Sequence, residues 1–295
     1  MAIISELVVY PVKSLQGISV SSAELTEQGL KWDRFWMIVN QDGQFASQRH
    51  FSQMATVATE LTDSHLILSH AEHQDLLIPL QSNDEVKRNR CVVKVWSSEC
   101  EALNEGQLAS DWLTNVLGQW RGQNLSLVRM AHDFQRAVSN KHTQGTENTT
   151  YFSDGYPYLV TTTASLEVLN QKLEQQSENA IPMDRFRANI VVDNKEDIAN
   201  AFIENRSDFL EIGPNEYLLE LCKPCERCKV PSIDQKSGFS ESPQQPLKTL
   251  FAMDHVQQKG AYFGHNAVLS ESAKVKANTE QKTLLVSVGD SVEFV

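Results

Sequence analysis

Short runs of β-forming residues dominate the first third of the chain and restrict its fold more than any other feature. Ile3–Val12, Ile18–Thr26, Phe35–Asn40, Thr56–Thr62, His65–Ser69, Asp75–Leu80 and Cys91–Trp96 are rich in Val, Ile, Leu and Thr, with turn signals such as Gln41-Asp42-Gly43 and Ser82-Asn83-Asp84 between them. Many short strands at this spacing predict a sandwich or barrel. One helix interrupts them, over Glu105–Leu117, with Leu108, Trp112, Leu113 and Val116 on one face and Gly118 as its C-cap. The polar stretch Ala131–Thr150, centred on Gln144-Gly145-Thr146-Glu147-Asn148, reads as a connection or mobile loop between two halves. A second helix is expected over Thr163–Gln175, with Leu166, Leu169 and Leu173 as its apolar stripe. Strands are expected at Arg187–Val192, Tyr217–Leu221, Gly260–Val268 and Leu284–Val288, with a short helix over Pro246–Met253.

At 295 residues the chain can hold one large domain or two ordinary ones. Its opening residues lack the basic n-region and small-residue cleavage site of a signal peptide. No apolar stretch approaches the roughly 20 residues that span a bilayer. The expectation is a cytoplasmic protein without a membrane partner. A formal charge of −12 argues against nucleic-acid binding, which needs a basic footprint. It leaves room for a small anionic ligand held where a few arginines converge.

Five cysteines, three of them in Cys222-Lys223-Pro224-Cys225-Glu226-Arg227-Cys228, make a poor disulfide framework. Cys91 and Cys100 are expected as buried free thiols. The spacing suggests thiolates brought to one point by a tight turn, which suits a transition metal. An iron–sulfur cluster would need a fourth cysteine, and none follows Cys228. Structural zinc would need Cys222 or a distant histidine such as His255 or His265 to complete the site. A turn with buried thiols and no metal is the plain alternative. A single activated thiolate is the fourth reading: Arg227, Lys223 and Lys229 place positive charge near Cys228, which could ligate a cofactor metal or carry a persulfide.

The run C-K-P-C-x-R-C-x-x-P-S-I-D-x-x-S-G, ending at Gly238, resembles the signature of the molybdenum cofactor sulfurase C-terminal (MOSC) domain. Tyr10-Pro11-Val12-Lys13-Ser14 and Gly29-Leu30-Lys31-Trp32-Asp33-Arg34-Phe35-Trp36-Met37 look like the β-barrel domain that precedes it. Phe152-Ser153-Asp154-Gly155-Tyr156-Pro157 and Asp184-Arg185-Phe186-Arg187-Ala188-Asn189-Ile190 resemble elements of the MOSC domain proper. Their order around the cysteine run makes the resemblance specific, and it covers most of the chain. It is similar in particular to the mitochondrial amidoxime-reducing component and its bacterial counterparts. Pro231 and Ser232 stand where many relatives carry two threonines.

The resemblance implies a mostly β fold: an N-terminal MOSC-associated β-barrel domain over residues 1–125, a MOSC β-barrel over 126–295 and a few helices. It implies a molybdenum cofactor (Mo-molybdopterin) in the cleft between them, or a protein isolated without it. Carried over by motif, Cys228 is the metal ligand and Asp154 lies near the metal. Lys13, Ser14, Arg34, Arg187, Asn189 and Arg227 fall on the cofactor-binding side. The implied activity is an oxidoreductase that reduces N-hydroxylated compounds: hydroxylamines, amidoximes or N-hydroxylated bases. Its electrons would come from a separate donor of ferredoxin, cytochrome or flavin-reductase type, because the chain carries no plant-type ferredoxin spacing. Asp154 could deliver protons if its carboxyl protonates near neutral pH. The alternative is a persulfide carrier on Cys228 for metal–sulfur cofactor assembly.

Overall fold

The computed structural model describes residues 2–143, 145–213, 217–256, 258–280 and 283–295. At its centre is a closed barrel. Going round it, Ile190–Asp193 pairs with Tyr158–Thr162, then Tyr262–Leu269, Tyr217–Glu226, Phe209–Ile212, Ser291–Phe294 and Ala2–Val9, which returns to Ile190–Asp193. All pairs are antiparallel except Tyr158–Thr162 with Ile190–Asp193. Alternation along the strands sends Ile4, Tyr158, Val160, Ile190, Val192, Leu210, Leu219 and Leu269 into one buried cluster. Leu159, Val191 and Phe263 point the other way, and meet Leu169 and Leu173 of the helix Thr163–Glu174 in a second cluster.

A second β-rich body comes from the N-terminal half. A four-stranded sheet runs Trp36–Val39, Ser126–Met130, Ser98–Asn104, Arg90–Val95, and a meander of Ala58–Leu61, His65–His70 and His73–Pro79 packs into the same core. Trp36, Met37, Leu66, Val93, Leu113 and Leu127 are fully buried there. The barrel takes Ala2–Val9 from the far end of the sequence, so a division at residue 125 separates strands that hydrogen bonds join.

Several elements depart from the sequence reading. Ile18–Thr26 splits at Ser21: Ile18–Val20 pairs with Ala2–Val9, whereas Ser22–Thr26 pairs with Leu284–Ser287 and Gly29–Leu30. The helix Gln107–Leu117 buries Ala109, Leu113 and Leu117, while Leu108 is 82% exposed, because the inward face starts one residue later. The expected strand at Arg187 begins at Ile190; Met183–Phe186 forms a 3-10 turn, and Arg187 caps it with φ of 56°. Within Ala131–Thr150 the pair Arg136–Ala137 and Thr149–Thr150 makes a small ladder; Gln144 lies outside the described residues. Strands at Ser98–Asn104, Ser126–Met130, Tyr158–Thr162, Phe209–Ile212 and Ser291–Phe294, and the helix Glu271–Glu280, were not anticipated.

The cysteine run is not a converging turn. Tyr217–Glu226 continues through Cys222 and Cys225 as a strand, with pairing irregularities between Leu221 and Lys223 and between Pro224 and Glu226. Cys222 packs beside Val138, Tyr156 and Val268, and burial first, then Glu220, pushes its thiol up to about 12. The three sulfurs therefore do not share a point. Among the described residues no cluster of His, Cys, Asp and Glu could hold a metal by itself. All five cysteines are free, Cys100 buried and Cys91 half-buried.

Candidate functional site

A cleft opens between the two β bodies. Lys13, Ser14, Arg34, Ser153, Asp154, Arg187, Asn189, Arg227 and Cys228 all line it, so the topology gathers every residue singled out by motif. Arg49 and Cys225 join them. Among the described residues Asp154 is the only acid in a wall that carries five cations, which makes a positive pocket on an acidic chain.

Its floor is built from residues held in unusual backbone conformations. Ser14, Arg34 and Arg187 have φ of 72°, 49° and 56°, a left-handed region that side chains rarely adopt. Such strain persists where surrounding contacts over-determine the geometry. Here those contacts centre on Asp33, which is fully buried. Its Oδ1 accepts from the Tyr10 amide at 2.8 Å and from Asn189 Nδ2 at 3.0 Å, and its Oδ2 accepts from Arg34 Nη1. Arg34 also donates to Asn189 Oδ1 at 3.0 Å and to the Arg187 carbonyl at 3.1 Å. Arg187 donates to Gln235 Oε1 at 3.1 Å and to the Leu15 carbonyl at 2.7 Å. Both guanidiniums lie over the Tyr10 ring, at 4.3 and 4.2 Å from its centroid. Burial lowers Arg187 to about 10, still cationic at neutral pH.

Asn189 has a different part. Its Oδ1 also accepts from the Leu159 amide at 3.2 Å, and its Nδ2 also donates to the Val8 carbonyl at 3.1 Å. Every lobe of this amide faces protein, so it locks the Ala2–Val9 strand to Tyr158–Thr162 and orients Arg34.

Lys13 is buried, donating to the Phe152 carbonyl at 2.7 Å and to Asp154 Oδ1 at 2.6 Å. Arg136 clamps the same segment through the carbonyls of Tyr151, Ser153 and Asp154. Burial lowers the Lys13 pKa, and Asp154 opposes that shift. Burial raises the Asp154 carboxyl, but the Lys13 ammonium outweighs it and holds that carboxyl well below the usual carboxylate range. Its side chain is still 67% accessible within the cleft. The Trp96 indole donates to the same Oδ1 at 3.3 Å. An ionised, paired carboxylate is the reverse of what proton delivery by Asp154 needs.

Arg227 does not act on Cys228 in this geometry. Its Nη1 donates to Cys225 Sγ at 3.0 Å and its Nη2 to the Phe186 carbonyl at 2.7 Å. Cys228 is the exposed thiol of the five. Two buried polar atoms in the wall, Ser153 Oγ and Arg227 Nε, have no partner. Unmet donors, a positive field and one accessible soft sulfur together fit a group that carries both a phosphate and a metal. Asp33, Tyr10, Gln48, Arg49, Arg136 and Gln235 escaped the sequence reading. Asp33, Tyr10 and Gln235, embedded in the motif segments, had a local signal.

With this geometry in hand, the class is clear. Residues 1–120 match the MOSC N-terminal beta barrel domain and residues 147–293 match the MOSC domain, and the chain belongs to this family. It is 30% identical to mitochondrial amidoxime-reducing component 1 of Mus musculus over 84% of this chain and 70% of that protein. The Homo sapiens protein of the same name is also 30% identical, over the same shares. The molybdenum cofactor sulfurase of Bos taurus is 29% identical over 80% of this chain, which spans 27% of that longer protein. Among the described residues no helix is long and apolar enough to cross a membrane.

Proposed function

We propose that the chain holds a molybdenum cofactor in this cleft and reduces N-hydroxylated small molecules with electrons from a separate redox protein. The observation that carries this reading is the meeting of exposed Cys228 with Lys13, Ser14, Arg34 and Arg187 around one positive cleft. Two relatives named for amidoxime reduction support the same direction. Cys228 would hold the metal, while Lys13, Ser14, Arg34, Arg187 and Arg227 face the phosphate and pterin. The bound cofactor supplies two-electron chemistry, with R–NH–OH, two electrons and two protons giving R–NH2 and water. Of the Lys13–Asp154 pair, Lys13 Nζ carries the proton, and Asp154 keeps that ammonium aimed into the cleft.

A second reading draws on the exposure of Cys228 and on the sulfurase relative: this thiol would carry a persulfide for delivery to a metal–sulfur cofactor.

Both are tested on protein made in a host with active molybdopterin synthesis, beside a Cys228→Ser variant. Stoichiometric molybdenum with releasable pterin, and amidoxime reduction lost in the variant, is the expected result. Cyanolysable sulfur on Cys228 without molybdenum would favour the carrier. Full turnover by a metal-loaded Cys228→Ser protein would sink the ligand assignment.

A further inference from the structure

Trp96 occupies a backbone position that rarely holds a large side chain. The strands Arg90–Val95 and Ser98–Asn104 pair through Val95 and Ser98, which leaves Trp96 and Ser97 as a two-residue hairpin turn. Trp96 has φ of 56°, a conformation that such turns ordinarily give to Gly, Asn or Asp. It is also 52% exposed, so core packing does not account for its bulk. A large aromatic held both strained and exposed points to a role in what it touches.

Its contacts lie on the rim of the cleft. The indole Nε1 donates to Asp154 Oδ1 at 3.3 Å, and the same oxygen accepts from Lys13 Nζ at 2.6 Å. Lys13 Nζ lies 5.1 Å from the centroid of the Phe45 ring, and that ring meets Trp96 edge-on at 5.2 Å. The four side chains close a circuit. Trp96 thus stands two hydrogen bonds from the ammonium that carries the proton, with ring surface still open to a ligand.

Arg49 adds a charge to this ledge. Half-buried in the cleft wall, its guanidinium lies over the Trp96 ring at 4.3 Å and the Phe45 ring at 5.5 Å. Its Nε donates to Ser47 Oγ at 3.2 Å. Among the described residues no carboxylate pairs with Arg49, and its terminal nitrogens meet no protein acceptor. Lys13 and Arg34 differ, being paired with Asp154 and Asp33. An unpaired guanidinium fork held on aromatic rings matches a carboxylate through two parallel N–H···O bonds.

We infer that Trp96, Phe45 and Arg49 form a substrate platform that selects planar N-hydroxylated compounds bearing a carboxylate. The inference rests on the reductase reading and names its substrate class. The conjugated ring stacks on Trp96 and the carboxylate meets Arg49, with the N-hydroxyl group directed into the cleft. Phe45 braces the indole from the side. The tight turn holds it without a long loop, so little order is lost on binding. A small uncharged aliphatic substrate gains neither contact.

The test compares acetamidoxime, benzamidoxime and 4-carboxybenzamidoxime on the loaded protein, with dithionite-reduced methyl viologen as donor. In wild type kcat/KM should rise in that order, by about tenfold or more at the last step. Arg49→Met keeps an apolar stem without the charge, and should erase the advantage of the carboxylate over benzamidoxime, chiefly through KM. Trp96→Gly suits the turn, so its melting temperature should hold. It should cut the advantage of both aromatic substrates over acetamidoxime by about fivefold. Calorimetry on the loaded proteins without a donor should give the same order of affinities. Equal affinity of wild type for the charged and plain rings, or a carboxylate advantage kept in Arg49→Met, would overturn the inference. Loss of molybdenum from Arg49→Met would assign Arg49 to the cofactor and overturn it equally. A lower melting temperature with unchanged selectivity in Trp96→Gly would reduce Trp96 to packing and remove the platform. Selective binding of 4-carboxybenzamidoxime without turnover of any of the three would defeat the reductase reading and leave the platform standing.

Discussion

Asp33 shows how a residue that carries no chemistry can decide where the chemistry sits. Its buried carboxylate binds a backbone amide, Asn189 and Arg34, and so fixes Arg34 in a left-handed conformation facing the cleft. Arg34→Ala would leave that carboxylate without its counter-charge. A loss of roughly 3–5 kcal/mol in chemical denaturation is expected, before any effect on cofactor retention. Asp154 offers a pH test. Its carboxyl is depressed in the folded protein, so its contribution is complete above the ordinary carboxylate pKa, near 3.9, and is lost as pH falls through the lower folded value. Asp154→Asn should therefore lower the melting temperature at pH 7 and lose less of it on acidification. Parallel melting curves for the two proteins from pH 7 to pH 2 would refute the pairing.

At the scale of elements, the barrel and its outer helix depend on a few close fits. Gly264 in Tyr262–Leu269 has φ of 74°, and an added methyl would lie 2.7 Å from Thr161 Cγ2 and 2.9 Å from the Val160 carbonyl. Gly264→Ala is expected to cost about 2–4 kcal/mol through strain and displacement of the neighbouring strand. An unchanged midpoint in urea would contradict this. The helix Thr163–Glu174 starts at Thr162, whose hydroxyl accepts from the Ser165 amide at 3.3 Å. Beside it, fully buried Glu204 accepts from Ser165 Oγ and Thr162 Oγ1. Burial lifts its carboxyl to about 7 and drops neighbouring His265 to about 4. The signs oppose. Glu204 loses stability as pH rises from about 4.5 through 7, and His265 loses it as pH falls from about 6.5 toward 4. Glu204→Gln should keep the acceptor and gain roughly 1–3 kcal/mol over wild type between pH 5 and pH 8. A gain independent of pH would exclude titration of Glu204 as its source.

At the scale of the molecule, the N-terminal strand closes the C-terminal barrel. Ala2–Val9 pairs with Ile190–Asp193 and Ser291–Phe294, and buries Ile4 and Leu7 in the barrel core. A fragment of residues 126–295 would leave two strand edges unpaired and part of that core open. It is expected to lack a cooperative calorimetric transition, and fusing residues 1–20 through a flexible linker should restore one. A cooperative transition in the bare fragment would mean that the strand is dispensable. The same threading brings Lys13 and Arg34 to Arg187 and Cys228, so the cleft forms only when the barrel closes.

Sequence alone identified the β-rich class, the helices at Gln107–Leu117, Thr163–Glu174 and Leu247–Met253, and the motif residues that meet in the cleft. Period, caps and turn residues are local signals, and motifs survive as strings. It did not disclose which cysteine is accessible. Spacing suggested three converging thiols, but a bulged strand carries Cys222 away from the opening and turns Arg227 toward Cys225. Nor did it disclose the charge state of Asp154. Asp154 is paired by a lysine 141 residues away, and the cations that line the cleft, Lys13, Arg34, Arg49, Arg187 and Arg227, lie far apart in the sequence. Electrostatics depends on distance in space, and only the closed barrel sets those distances.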